Sequence, residues 1–216
     1  MTAELSHQQH AWQALLKQPL AFVAPRHLRE CWPQTLTDQQ HWALCTTVRF
    51  EDRVLQLLMA HFQLQPLGQV QPPDDQDLPV LLLSAQAFKR LPRACGAIWH
   101  AATLSGEIRS EVVGQLRTAL GSDVFALALA HRSLAGAADL LRQPADLIEA
   151  IDRDGARCVS AWLQHQPEGL RDWLRLRLEL PHLDSPPVSG GQAVTDLTLV
   201  RRAAAAFEPV AEEIPG

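Results

Sequence analysis

The chain has 216 residues, 47% of them apolar and 20% charged, with a formal net charge of −5. That length allows one domain or two small ones around a real core, and the acidic balance argues against a nucleic-acid binder, which needs a basic footprint. Leu (35) and Ala (30) dominate, Ile (5) is scarce, Tyr and Asn are absent and Arg outnumbers Lys 17 to 2; few β-branched residues beside much Leu, Ala, Gln, Glu and Arg predict an all-α chain, an irregular multi-helix domain.

The first helix is expected from Glu4 to Lys17, with Ala11, Leu15 and Leu16 on one face and Ser6 as candidate cap. No apolar stretch of a secretory signal precedes it, so a cytoplasmic protein is expected. Pro19, Pro25 and Pro33 cut the following segment short; Pro25 suits a first helical position and opens a turn through Arg29. Asp38 precedes a stretch with Trp42, Leu44 and Cys45. From Glu51 to Leu64 the spacing of Val54, Leu57, Leu58, His61 and Phe62 is helical. Gln65–Pro79, with five Pro or Gly residues and the acids Asp74, Asp75 and Asp77, reads as a loop, long for a connector.

Pro92 divides the next stretch into two expected helices, Leu81–Leu91 and Arg93–Thr103. A third is expected over Ser105–Leu120, capped by Ser105, with Ile108, Val112, Gln115, Leu116 and Ala119 in a stripe and Gly121 as a left-handed cap. Ser122 and Asp123 restart a very apolar segment, Val124–Ala130, expected to be the central core helix. Leu134–Leu141 adds another turn or two. No apolar run reaches the length of a membrane span.

Ala145–Gln166 is strongly amphipathic, with Leu147, Ile151, Cys158, Trp162 and Leu163 aligned. Pro167 opens a segment holding Leu170, Trp173 and Leu174, in which Leu174, Leu176, Leu178 and Leu180 alternate with charges, also the pattern of a short extended segment near 174–181; helix turning extended near Leu178–Pro181 is expected. The division is then a helical domain over 1–181, a Pro/Gly linker over 182–194 and a last amphipathic helix with an acidic tail over 195–216. Leu197, Val200, Ala204 and Phe207 form that helix's stripe, which either folds back or enters a partner's groove. The segment from Pro181 onward carries a net −3.

No chemical motif stands out. His7 and His10, followed by Cys31, His41 and Cys45, lack zinc-type spacing. Cys95 and His100 sit in no nucleophile motif, although a small Cys/His hydrolase is one reading to weigh. Asp74, Asp75 and Asp77 lack the glycine and distal glutamate of a calcium loop and read as solvated. Ser189-Gly190-Gly191 is linker, without the strand a phosphate loop needs. No metal or cofactor is expected. Arg171, Arg175 and Arg177 beside Trp173 form a candidate anchor for a protein partner, and with six tryptophans and no Tyr, an exposed Trp is the best interface candidate. The partner-binding candidates are Trp32, Trp173, Arg175, Arg177, Leu197, Val200 and Phe207.

Three blocks carry a resemblance. They are Leu15–Phe22 with His27-Leu28 and Cys31-Trp32-Pro33; the run from Leu81 through Gly121 to His131; and Gly155 through Trp162-Leu163, Pro167, Trp173 and Arg175–Leu178 to Pro181. Together they resemble the K component of bacterial type III secretion systems, the SctK family with YscK, PscK and OrgA, and are most similar to the Hrp-type members of plant pathogens. The resemblance covers about Leu15 to Pro181 and rests on spaced Leu, Trp and Pro positions. It implies a cytoplasmic, non-enzymatic adaptor of the sorting platform, peripheral to the inner membrane. Its partners would be the inner-membrane ring (D) component and the pod (Q) component, and through the latter the L component and the N ATPase. The alternative within secretion is a chaperone or helical regulator.

Overall fold

In the computed structural model, which describes residues 2–32, 36–137, 143–177 and 191–207, every regular element is helical. Twelve α-helices are described: α1 (Thr2–Lys17), α2 (Pro25–Glu30), α3 (Asp38–Thr46), α4 (Glu51–Phe62), α5 (Leu78–Leu81), α6 (Ala85–Trp99), α7 (Ala101–Gly106), α8 (Ser110–Leu120), α9 (Ser122–Ala130), α10 (Pro144–His165), α11 (Glu168–Arg177) and α12 (Gly191–Ala204). They fall into two units. Met1–Leu78 with Gln166–Glu179 makes the first, and Pro79–His165 with Leu180–Gly216 the second.

The first unit is built from short helices. On α1 the buried residue is Trp12, which meets Phe22 edge-on at 6.4 Å, while Ala11, Leu15 and Leu16 are half-buried. Ser6 does not cap; it lies inside α1, and its carbonyl faces His10 Nδ1 at 2.6 Å. Pro19–Phe22 forms a 3-10 turn, and α2 opens on Pro25 as proline's fixed φ favours. Thr37 opens α3 with a capping box: Gln40 N–H donates to Thr37 Oγ1 and Thr37 N–H to Gln40 Oε1. Val54 and Leu58 bury the inner face of α4, which stops at Phe62, short of the expected Leu64. Gln63 takes the left-handed conformation (φ 55°, ψ 39°) there, without the glycine that would announce it.

The expected loop over 65–79 is more ordered than its composition implies. It contains 3-10 turns at Leu67–Gln69 and Asp75–Asp77, and α5 starts within it. The three acids are not a uniformly solvated cluster. Asp74 caps the second turn through Gln76 N–H, Asp75 accepts from Gln9 Nε2 at 3.2 Å, and Asp77 is buried and accepts from Gln166 Nε2 at 3.2 Å. On α11, Leu170, Trp173, Leu174 and Leu176 are buried, and Leu174–Arg177 is helical, as favoured over the strand reading of its alternation; the turn to extended chain expected over 178–181 lies outside the described residues. Ala24 N–H donates to the Leu176 carbonyl at 2.9 Å, tying α11 to the start of α2.

The second unit is organised by α6 and α10. Ser84 caps α6 by accepting from Ala87 N–H, and α6 runs unbroken through Pro92 to Trp99. The two helices expected on either side of Pro92 are thus one, and the break falls at His100, before α7. Tertiary packing outweighs proline's missing donor here: Leu91, Pro92, Ala94, Cys95 and Ala97 are all buried. Buried along α10 are Leu147, Ala150, Ile151, Cys158, Val159, Trp162 and Leu163. At their crossing a Cβ on Gly96 would collide with the Ile151 carbonyl, and one on Gly155 with the Pro92 carbonyl. Only glycine permits this approach.

Around that pair, three expectations change. Ser105 does not cap α8; it lies in α7, and α8 begins at Ser110. Between them Arg109 donates to Glu107 through its N–H and guanidinium, holding the Glu107 carboxyl at about 2 and forming a local turn that leaves Ile108 90% exposed, outside any stripe. Gly121 has positive φ (89°), but its ψ of 143° lies outside the left-handed helical well; it ends α8 and opens α9. And α9 is not central: Val124, Phe125 and Ala128 are buried, whereas Ala126, Leu129 and Ala130 are exposed. Arg132–Leu134 is a 3-10 turn, and 138–141 of the turn expected over 134–141 lies outside the described residues. Finally α12 begins at Gly191, inside the span expected as linker, and packs on α10 and α6; 182–190 and the acidic tail from 208 lie outside the described residues.

Candidate functional site

Among the described residues the thiols and imidazoles are not gathered into a metal-binding group. Cys31 is half-buried and donates to the His27 carbonyl at 3.3 Å; burial, Glu30 and Cys45 push its thiol up to about 11. Burial raises Cys45, Cys95 and Cys158 as well, with Asp196 adding to the effect at the last two. All four thiols are therefore held in the protonated, weakly nucleophilic form. His7 and His10 are exposed on α1, and the side chain of His41 lies outside the described set. Among the described residues no group of three or more His, Cys, Asp or Glu could hold a metal ion. His100, at the end of α6, is fully buried and its Nε2 lies 2.8 Å from Asp154 Oδ2, so its ring is engaged by the carboxylate. Burial opposes ionisation of Asp154, but hydrogen bonds from Arg153 and His100 outweigh it and hold the carboxyl below the usual range.

The most distinctive polar arrangement is the seat of α12 in the second unit. Leu199, Val200, Ala203 and Ala204 are buried against α10 and α6, and in line with them sits Asp196, 0% exposed. Asp196 Oδ1 accepts from the Cys158 thiol at 3.4 Å and lies 3.5 Å from the Arg157 guanidinium. Arg157 in turn covers the Trp99 ring at 5.2 Å, which shields its charge from water. Past the end of α12, Phe207 lies under the Arg90 guanidinium at 5.4 Å, and Arg90 pairs with Asp123 at the start of α9. Burying Leu199 and Val200 contributes about 1.5–3 kcal/mol each before the cost of ordering the helix. The buried ion pair adds little to that sum, since its attraction is offset by desolvation.

The first unit places the remaining sequence candidates. Trp173 is 0% exposed and its Nε1 donates to the Gln65 carbonyl at 2.8 Å, so it is a core residue and not an exposed anchor. The Arg177 guanidinium lies over the Phe22 ring at 4.6 Å, and burial brings its pKa down to about 10. Arg175 is exposed and pairs with Asp172 within α11. Trp32 is half-buried. In the second unit Val200 is buried, while Leu197 and Phe207 are half-buried. Of the seven candidates, Trp173 and Val200 thus spend their surface on their own unit's core.

What the residue pattern passed over is Asp196, Arg157, Asp77, Gln166 and the His100–Asp154 pair. Asp196 had a readable signal. It precedes Leu199 and Val200 by three and four residues, so it occupies the apolar face of the helix. For the others, partners lie 39 to 89 residues away and no local spacing announces them.

The chain is similar to the nodulation protein NolU of Rhizobium fredii, 32% identical over 99 residues, which make 46% of this chain and 47% of that protein. NolU of Sinorhizobium fredii (strain NBRC 101917 / NGR234) matches with the same identity and shares. The chain spans about half the length of the curated relatives it matches. No family model matches, and no solved structure does.

Proposed function

We propose that this chain is a component of a bacterial type III secretion system and acts there as a non-enzymatic adaptor. In this reading it joins the cytoplasmic part of the inner-membrane ring to the pod protein, and through the pod protein to the L component and the export ATPase. The similarity to NolU over 99 residues carries the reading at the level of secretion, and the spaced Leu, Trp and Pro blocks carry the finer assignment. Its site chemistry supports contact over catalysis: thiols kept protonated by burial, and a histidine, paired with Asp154, that is fully buried and so out of reach of a substrate. Peripheral placement at the inner membrane fits the helices. No single described helix is long and apolar enough to cross a membrane, and the α8–α9 pair that reaches the length together is bent by 108°.

The test is a chromosomal deletion with a tagged copy restored. Deletion is expected to abolish secretion while the membrane rings still assemble, and the tagged chain to co-purify with ring and pod proteins from cells with an intact apparatus. Normal secretion in the deletion strain, or recovery of neither protein, would overturn the reading.

A further inference from the structure

We propose that Cys31 and Cys45 of the first unit are a redox-responsive pair, which a low-molecular-weight disulfide such as oxidised glutathione converts to an intramolecular disulfide stapling α2 to α3. The proposal stands apart from the adaptor reading and needs no partner protein. Three observations carry it. First, the four thiols divide by accessibility. Cys95 and Cys158 are 0% exposed and closed to reagents in the folded chain, whereas Cys31 and Cys45 are both half-buried.

Second, the fold gathers the half-buried pair at one corner. Cys31 ends α2 and Cys45 lies in the last turn of α3. Both helices rest on α4: the His27 ring of α2 meets Phe62 edge-on at 5.7 Å, and α3 packs against α4. Cys45 also adds to the upward push on the Cys31 thiol, an electrostatic effect that one thiol exerts on another only across a short gap. Third, this corner gains from a staple. With six residues in α2 and nine in α3, neither helix persists alone, and a bond from Cys31 to Cys45 closes a short loop that restricts the unfolded chain.

The chemistry is thiol–disulfide exchange, and Cys45 attacks first. Burial and the neighbouring Glu30 hold the proton of Cys31, whose Sγ already donates to the His27 carbonyl at 3.3 Å, whereas Cys45 has burial alone against it. The Cys45 thiolate attacks one sulfur of oxidised glutathione and expels a glutathione thiolate, leaving a mixed disulfide. Cys31 then gives up its proton and attacks the Cys45 sulfur, and the second glutathione leaves as a thiolate that takes up that proton. One disulfide is consumed, one is formed and two glutathione thiols are released. Raised thiols make each step slow, so the pair answers a sustained oxidising poise and not a brief pulse.

The full-length protein tests this. Native chain and urea-unfolded chain are each incubated with oxidised glutathione, alkylated with iodoacetamide and cut with trypsin. One peptide, Glu30–Arg49, carries both thiols, and Cys95 and Cys158 fall on two others, so loss of two hydrogens from Glu30–Arg49 reports the bond by mass spectrometry. The ratio of bonded peptide to its glutathione adduct is expected to be about tenfold higher in the native chain than in urea, because the fold raises the effective concentration of one thiol at the other. Cys31→Ser should stop at the adduct on Cys45, and Cys45→Ser should leave Cys31 almost unmodified. Oxidation should raise the urea midpoint of the wild-type chain, and dithiothreitol should return it. Should a serine variant unfold by circular dichroism, the wild-type comparison of native and unfolded chain decides alone. Equal ratios in the two states, adducts on both thiols without the bond, an unmoved midpoint, or stoichiometric zinc that Cys45→Ser releases would each overturn the proposal.

Discussion

The two units solve the same problem, burying leucine-rich helices, by opposite means. In the second unit two long helices come so close that side chains are removed to let backbones meet, at Gly96 and Gly155. In the first, short helices are joined by single polar contacts between residues far apart in the chain: Trp173 to the Gln65 carbonyl, Ala24 to the Leu176 carbonyl, Gln166 to Asp77. The second unit is therefore specified by what is missing from a helix face, and the first by a few donors that must find their acceptors. The contrast predicts different failures: overpacking in the second unit, unsatisfied polar groups in the first.

Glycine substitutions give the sharpest break. Gly96→Ala or Gly155→Ala drives a methyl group into a backbone carbonyl that cannot rotate away, and each is expected to cost about 3 kcal/mol or more in urea unfolding. Gly169→Ala on α11 meets only the Val70 methyl and Gln65 Oε1, at 3.1 and 3.2 Å. Both ends can shift and the helix gains propensity, so the change should stay within about 1 kcal/mol of zero. Equal effects at the three glycines would remove the distinction between the units.

Next in size is Trp173→Phe, which keeps the ring but removes the donor to the Gln65 carbonyl; a loss of about 1–3 kcal/mol is expected from chemical denaturation. The helix caps should not follow the contrast at all. Thr37→Ala in the first unit and Ser84→Ala in the second each remove an acceptor from an N-terminal amide and should each cost about 1 kcal/mol, because a cap is local wherever it sits.

The smallest effect is acid sensitivity in the second unit. The Asp154 carboxyl is depressed in the folded state, so the unfolded chain takes up the proton first as pH falls. Its contribution is fully present at neutral pH and disappears below about pH 4. Asp154→Asn should flatten that part of the stability profile by under about 1 kcal/mol, partial exposure screening the charges, as measured by urea midpoints across the acid range.

Helix identity was readable wherever one face repeated regularly, as with Val54 and Leu58 on α4 and Leu147, Ile151, Cys158 and Trp162 on α10. It failed where a local rule met a tertiary override. Pro92 reads as a break, yet burial carries α6 across it. Ile108 fits a stripe by spacing, yet Glu107 and Arg109 close a turn around it. Val124–Ala130 is the most apolar segment and so looked central, but burial follows available neighbours and not hydropathy alone, and the glycine-matched α6 and α10 took that place. The candidate site was less legible still. Tryptophan and arginine near one another read as an exposed anchor, whereas Trp173 donates into its own core.

From the sequence alone came the all-helical class and most helix faces, because a period of 3.6 residues is a property of neighbouring positions. The start of α2 at Pro25 is likewise a local matter. Only the tertiary structure decided which helices are central, that Asp77 is an interior acid, and that α12 is keyed to Arg157 and Cys158. A buried charge is a statement about partners tens of residues away, and local spacing carries no record of them.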